Sequence, residues 1–408
     1  MLDALRKIYA DDGLRSATIA LVVMGIAGAA TFPYLSIIGI TELGLTTQAF
    51  GAIMLLSAII STSSAVVIGY FSDHAANRKT MIMFSFMAGV IGFGQFAIWP
   101  SQATFILYML FFTPLTGAGY SQLFAMIRSI AQQWGNEEAA SINTAIRAAF
   151  ASSWIIVPGL TGLFIAWTEQ VSHSFVIATV VYVFCMFYYW FKGSNQGRKF
   201  GQDESAKQTA TAGLKQAFKL IGSSAILSRV VSIAVIGVTH PVNAAVMPLI
   251  VLSLEGGSVR DVGLLAGLVA GLEIPLMLLG GVMTRRYSLV KVIVFGGLCH
   301  VVYLIALAFV PSIGYIYALC MINAMGAAIL LTLHLNYLQD TMPNRPGLGT
   351  SLMSIQGLIQ RGMGAGIVAG IGLMFGLSGA LIISAIACLI GIGLLFWAEK
   401  HPVELEAK

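Results

Sequence analysis

The sequence predicts an all-α polytopic membrane protein, with about twelve transmembrane helices in two six-helix bundles. Three observations lead there. The 408-residue chain is 58% hydrophobic and only 10% charged, with a mean hydropathy of +0.87. A soluble domain carries roughly 25% charged residues, so this much apolar surface must face lipid. Its apolar runs, such as 53–70 and 381–397, are long and continuous, whereas barrel strands would alternate over about ten residues. Only a helix satisfies its own backbone along such a run in hydrocarbon.

Taken in order, the expected spans lie near residues 16–40, 46–71, 80–99, 103–128, 139–167 and 172–192. The second set lies near 224–252, 261–283, 289–310, 312–338, 349–374 and 378–398. Trp99-Pro100, Val310-Pro311 and Met342-Pro343 break helices between spans. The run over 17–40 exceeds a signal-peptide core of about 7–15 residues, so it is expected to be the first span despite Ala27-Gly28-Ala29. The segment from Lys192 to Lys219 is polar and divides the spans equally. It reads as a linker with a surface helix in its second part. The expected domains are therefore an N-terminal bundle over 1–191, a cytoplasmic linker over 192–222 and a C-terminal bundle over 223–408.

The formal net charge is +5 and the pI about 9.0. Here the basic residues flank hydrophobic spans, so they report topology and not nucleic-acid binding. With both termini inside, Arg6, Lys7, Arg15, Arg78, Lys79, the linker lysines, Arg285, Arg286, Lys291, Arg345 and Lys400 fall on the cytoplasmic side. Arg260 alone falls opposite. Four cysteines (Cys185, Cys299, Cys320 and Cys388) sit within apolar runs without partner spacing, which suits small buried hydrophobes. No metal or cofactor is expected.

Polar residues are unevenly shared among the spans. The third, sixth, ninth and twelfth are nearly free of them, apart from Gln95 and His300. The fourth, fifth, seventh, eighth, tenth and eleventh hold Gln122, Arg147, Trp154, His240, Asn243, Glu273, Asn323, His334, Gln356, Gln360 and Arg361. A polar group is costly in hydrocarbon, so such residues are expected around a watered interior. A greasy span at every third place implies an outer, lipid-facing layer and four three-helix units.

The loop from Gly69 to Lys79 has Asp73 four residues after its glycine, then the pair Arg78-Lys79. It resembles the signature of the major facilitator superfamily, although its spacing before the basic pair is wider. Gly271-Leu272-Glu273-Ile274-Pro275 and the segment from Tyr337 to Pro343 resemble the bacterial sugar efflux transporters of that superfamily. So do Gly25-Ile26-Ala27-Gly28-Ala29 and the segment from Phe124 to Arg128. That resemblance implies the major facilitator fold and proton-linked export of lactose, glucose or related glycosides across the bacterial inner membrane.

Glu273 is the one carboxylate near the middle of a span. An acid there must be neutral, paired or hydrated, which suits a reversible proton carrier, or else a structural pair beside Pro275. Arg147 and Arg361 lie in the fifth and eleventh spans, equivalent places in the two halves. Arginine stays charged and needs a partner or water, so both are candidates for coupling, with Arg361 the expected partner of Glu273. A sugar offers hydroxyls and a flat apolar face, calling for amide or guanidinium groups and an aromatic ring. The candidates are Gln122, His240, Asn243, Asn323, Gln356 and Gln360, with Trp154, Tyr34 and Tyr120 to stack. Interhelical hydrogen bonding is the alternative use of each polar residue. Asp73, Arg78, Lys79, Arg128 and Asp340 lie at cytoplasmic helix ends and are candidate gate or capping residues.

Neither His-Glu-x-x-His nor Gly-x-Ser-x-Gly occurs, and no nucleotide-binding loop is present, so the expectation is a transporter and not an enzyme. Its partners are expected to be a sugar or glycoside, protons and the lipid bilayer, with no nucleic acid, and the chain is expected to act as a monomer. A multidrug or other organic-solute/proton antiporter of the same fold is the alternative; it would have a more aromatic, Met-rich interior with fewer amides.

Overall fold

The computed structural model describes residues 2–74, 78–194, 224–341 and 346–400, which form helices joined by short turns. Among the described residues there is no strand. The first half contains α1 (Leu2–Ala10), α2 (Asp12–Thr31), α3 (Thr47–His74), α4 (Arg78–Ile98), α5 (Gln102–Leu107), α6 (Thr113–Ala131), α7 (Asn136–Thr168) and α8 (Ser174–Lys192). The second contains α9 (Ser224–Gly237), α10 (Thr239–Ser253), α11 (Val259–Met283), α12 (Leu289–Ala308), α13 (Ile313–Asp340), α14 (Pro346–Gly366) and α15 (Gly372–Glu399). Of the expected linker, all but residues 192–194 lies outside the described residues.

Among the described residues, eleven helices are long and apolar enough to cross a membrane. The remaining expected span, 349–374, is helical as α14 and a following π turn (Ile367–Ile371), with Gln356, Gln360 and Arg361 diluting its apolar content. Several spans are less regular than their apolar runs suggest. Pro33 has no amide to offer Ala29, and α2 passes there into a 3-10 turn (Phe32–Tyr34), followed by a π turn (Ile37–Glu42). Before Pro114 the chain takes another π turn (Tyr108–Phe112), and Thr113 Oγ1 donates to the Tyr108 carbonyl at 3.0 Å. The seventh span breaks at Val238, between α9 and α10, because Pro241 cannot donate to the Gly237 carbonyl. The bonds on either side, Val238 N to Val235 O and Val242 N to Val238 O, stretch to 3.4 Å.

Contacts divide the chain into two units. The first comprises Met1–Gly44, Ile60–Ala210 and Val259–Gly267; the second comprises Leu45–Ile59, Thr211–Ser258 and Leu268–Lys408. The unit boundaries thus cut through α3 and α11, and glycines in the first part of each helix pack closely on neighbouring backbone. On α11, a Cβ at Gly263 would collide with the Pro158 carbonyl and the Tyr34 hydroxyl, and one at Gly267 with the Ile155 carbonyl. On α3, a Cβ at Gly51 would meet the Ala369 side chain at 2.6 Å and the Ala365 carbonyl at 2.9 Å. Only glycine lets backbones approach this closely.

In the first unit α4 packs on α8 and α6, and α2 on α6, α7 and α8. The core between α4 and α8 is aromatic: Phe86 meets Tyr182 and Tyr189, while Phe93 stacks on Tyr182 at 5.2 Å. Phe84, Met87, Ile91, Phe184, Phe187 and Trp190 on the same two helices are exposed. In water such a surface would aggregate; around a membrane helix it is the lipid-facing side. In the second unit α12 packs on α13 and α15, and α9 on α15 and α14. A side chain at Gly296 would collide with Ile329, and one at Gly391 would meet the Ile236 amide at 2.8 Å. Phe295, Leu298, Val302 and Ile305 form the exposed side of α12.

Candidate functional site

Each unit gathers part of the candidate set. In the first unit, Arg147, Phe150 and Trp154 lie one above another along α7, three and four residues apart. The Arg147 guanidinium sits 5.5 Å from the centre of the Phe124 ring. Tyr120, one turn before Phe124 on α6, meets Phe124 edge-on at 4.8 Å and Phe150 at 5.2 Å. Trp154 meets Phe32 at 6.0 Å and rests against Gly28 of α2. Gly25 and Gly28 leave room for these rings: a Cβ at Gly25 would meet Phe150 at 2.9 Å. The result is an aromatic wall ending in an exposed cation, able to bind an apolar face and a hydroxyl together. Gln122 is buried on α6. Tyr34 is not part of this wall. Its ring is fully buried, and its hydroxyl donates to the Pro158 carbonyl at 2.8 Å.

In the second unit the polar groups cluster at the broken seventh span. His240 and His300 lie with ring centres 4.7 Å apart. The His300 Nδ1 pairs with Thr239 Oγ1 at 2.9 Å, and the Tyr303 hydroxyl donates to Asn243 Oδ1 at 3.0 Å. Asn323 and His334 are buried on α13, and the Nε2 atoms of His240, His300 and His334 are buried without a hydrogen-bond partner. Gln356 Nε2 donates to Gln360 Oε1 at 2.5 Å, and the Gln360 amide fills the space beside Gly237, at the break. This region offers amides and imidazoles, with no ion pair to them among the described residues.

The two charges expected to couple form no ion pair with each other in this structure. Glu273 is half-buried on α11 and makes no ion pair among the described residues. Arg361 is exposed, and its Nε donates to the Gly357 carbonyl of its own helix at 3.1 Å. At the helix ends, Lys79 Nζ donates to the carbonyls of Trp190 and Gly193, both at 2.9 Å, and so caps α8. Arg128 and Asp340 are exposed near the ends of α6 and α13. Asp73 and Arg78 belong to α3 and α4, but their side chains lie outside the described residues.

Three participants escaped the sequence reading. His300 was noted there only as an exception in a greasy span, and Tyr303 was not singled out. They are three residues apart on α12, the helical spacing that puts both on the face toward α10. Glu42 is the third: its Oε1 and Oε2 accept the amides of Val171 and Ser172 and cap the turn that leads into α8.

The profile of the Major Facilitator Superfamily matches residues 17–357. Sugar efflux transporter A of Dickeya chrysanthemi is 26% identical, over 91% of this chain and 92% of that one. Sugar efflux transporter B of Salmonella typhimurium is 28% identical, over 86% and 87%. Among solved structures, the nucleoside transporter NupG superposes with a TM-score of 0.82 over 95% of this chain and 98% of that one, at 11% identity. That last likeness is one of fold.

Proposed function

Because this chain belongs to the Major Facilitator Superfamily, we propose that it is a secondary transporter exporting sugars or glycosides across the bacterial cytoplasmic membrane. The observation that carries the reading is the near full-length similarity to several sugar efflux transporters. The chemistry of the two clusters supports it. The aromatic wall with its guanidinium suits flat apolar faces and hydroxyls, and the amides and imidazoles of the second unit, taken by themselves, suit hydroxyls too. A cavity for lipophilic cations would want carboxylates there, and Glu273 is the one acid in the middle of a span.

Export is driven by protons entering the cell, through alternating access. Glu273 carries the proton: it sits within a membrane helix without a counter-charge among the described residues, so its protonation state changes the local charge outright. Arg147 binds sugar hydroxyls beside the aromatic rings. The protein works as a monomer with both termini in the cytoplasm.

The test is uptake of labelled lactose and glucose into inverted membrane vesicles, with and without an imposed proton gradient. Gradient-dependent accumulation is expected. Accumulation of lipophilic cations, with no sugar uptake, would instead establish the drug-antiporter reading.

A further inference from the structure

The outer helix α12 carries a polar pair that its apolar sequence conceals. Tyr303 is 1% exposed, and its hydroxyl has one partner among the described residues, Asn243 Oδ1 at 3.0 Å. A phenol can donate only one proton. Were the Asn243 amide turned over, its NH2 would face the phenol oxygen and the tyrosine proton would be left unpaired in the core. The arrangement therefore holds the amide in one sense, with Oδ1 used and Nδ2 left over. Asn243 is half-buried, and Nδ2 makes no hydrogen bond to another described residue.

The support behind this pair is closely packed. One turn before Tyr303, His300 is wholly buried, and its Nδ1 meets Thr239 Oγ1 at 2.9 Å. Thr239 Oγ1 also lies 3.3 Å from the Ile236 carbonyl, one turn back on its own chain. A side chain at Gly326 would collide with the His300 ring, so α13 closes on it from the other side. Residues 300 and 303 thus tie α12 to residues 239 and 243 of α10 at two points.

We propose that Tyr303 is a positioning residue for sugar recognition: it orients Asn243 so that the amide presents only N–H donors to a sugar oxygen. The inference rests on the sugar-transport reading. Asn243 is then the contact and Tyr303 acts through it. A neutral donor directed at one oxygen discriminates between sugars that differ at that position, because the missing partner leaves a desolvated N–H.

The test measures lactose and glucose binding to the purified full-length protein by titration calorimetry, with melting temperatures recorded in parallel. Tyr303→Phe is expected to weaken binding roughly tenfold for the sugar that the wild type binds, by freeing the amide to turn. Asn243→Asp keeps an acceptor for Tyr303 but removes the donor, and is expected to weaken binding at least as much. The double variant should bind no more weakly than Asn243→Asp alone. In a series of monodeoxy analogues, the wild type should lose affinity sharply for one analogue, and Tyr303→Phe should lose that discrimination. A lowered melting temperature with unchanged affinity in Tyr303→Phe, or wild-type affinity in Asn243→Asp, overturns the proposal. If Tyr303→Phe does not fold, Asn243→Asp and the analogue series decide the matter. Absence of any sugar binding by the wild type overturns the transport reading itself, and this inference with it.

Discussion

The Tyr34 hydroxyl donates to the carbonyl of Pro158 at 2.8 Å, joining residues 124 positions apart in the first unit. The bond ties the irregular end of the first span to the proline of α7. Removing it leaves a buried carbonyl without its donor, which costs about 1–3 kcal/mol. Tyr34→Phe should therefore melt at a lower temperature, by thermal unfolding in detergent. Because the ring is fully buried, its sugar affinity should stay within about twofold of wild type. A large loss of affinity at unchanged stability would instead return Tyr34 to the binding wall.

Two glycines of α11 should respond in opposite ways to the same substitution. Gly263→Ala places a methyl group against the Pro158 carbonyl and the Tyr34 hydroxyl, where backbone must move to admit it. Overpacking of this kind costs about 1–3 kcal/mol. Nothing lies within 4 Å of a Cβ at Gly281, near the other end of the helix. Gly281→Ala should be neutral or stabilising by up to about 1 kcal/mol, since alanine favours the helix. Paired thermal-unfolding curves check both, and equal effects would show that the close approach at Gly263 carries no energy.

Lys79 should behave as a helix cap. Its ammonium donates to two carbonyls at the C-terminal end of α8, where a positive charge also meets the negative end of the helix dipole. Lys79→Met should lower stability by about 1 kcal/mol, and Lys79→Arg should restore part of it. Cysteine-accessibility labelling of the cytoplasmic ends distinguishes a gate: a capping lysine leaves the labelling pattern unchanged, whereas a gating one shifts it.

Glu273→Gln fixes the neutral form of the proposed proton carrier. The variant should bind sugar and catalyse downhill exchange near the wild-type rate, and it should lose most gradient-driven accumulation in inverted vesicles. A Glu273→Gln protein that concentrates sugar at the wild-type rate would remove Glu273 from coupling.

The helices were readable because burial in lipid demands long apolar runs, and those runs are unmistakable in a chain so poor in charge. The clusters were partly readable. Arg147 and Trp154 could be chosen as polar or aromatic residues in spans, but their alignment with Phe124 and Phe150 depends on how α6 and α7 rotate against each other. The same dependence leaves Glu273 and Arg361 without a mutual ion pair: residue type gave a plausible pair, whereas the direction of Arg361 along its own helix is a packing outcome. His300 and Tyr303 illustrate the converse. In a mostly apolar span, two polar groups three residues apart mark a face turned toward another polar helix. The π turns had no comparable mark: two lie beside Pro33 and Pro114, but the third, Ile367–Ile371, has no proline near it.

The break at Val238 has a consequence for the chemistry of the second unit. Val238 keeps helical dihedrals, but Pro241 has no amide for the Gly237 carbonyl, so one peptide carbonyl loses its helical donor inside the span. Part of the electrical character of that place is therefore written in peptide groups and not in side chains. A neutral ligand that donates a hydrogen bond can be oriented by such a carbonyl without any formal charge being buried beside it. Side-chain replacements at His240 or Gln360 would retune this field, but erasing it requires restoring the amide that Pro241 lacks.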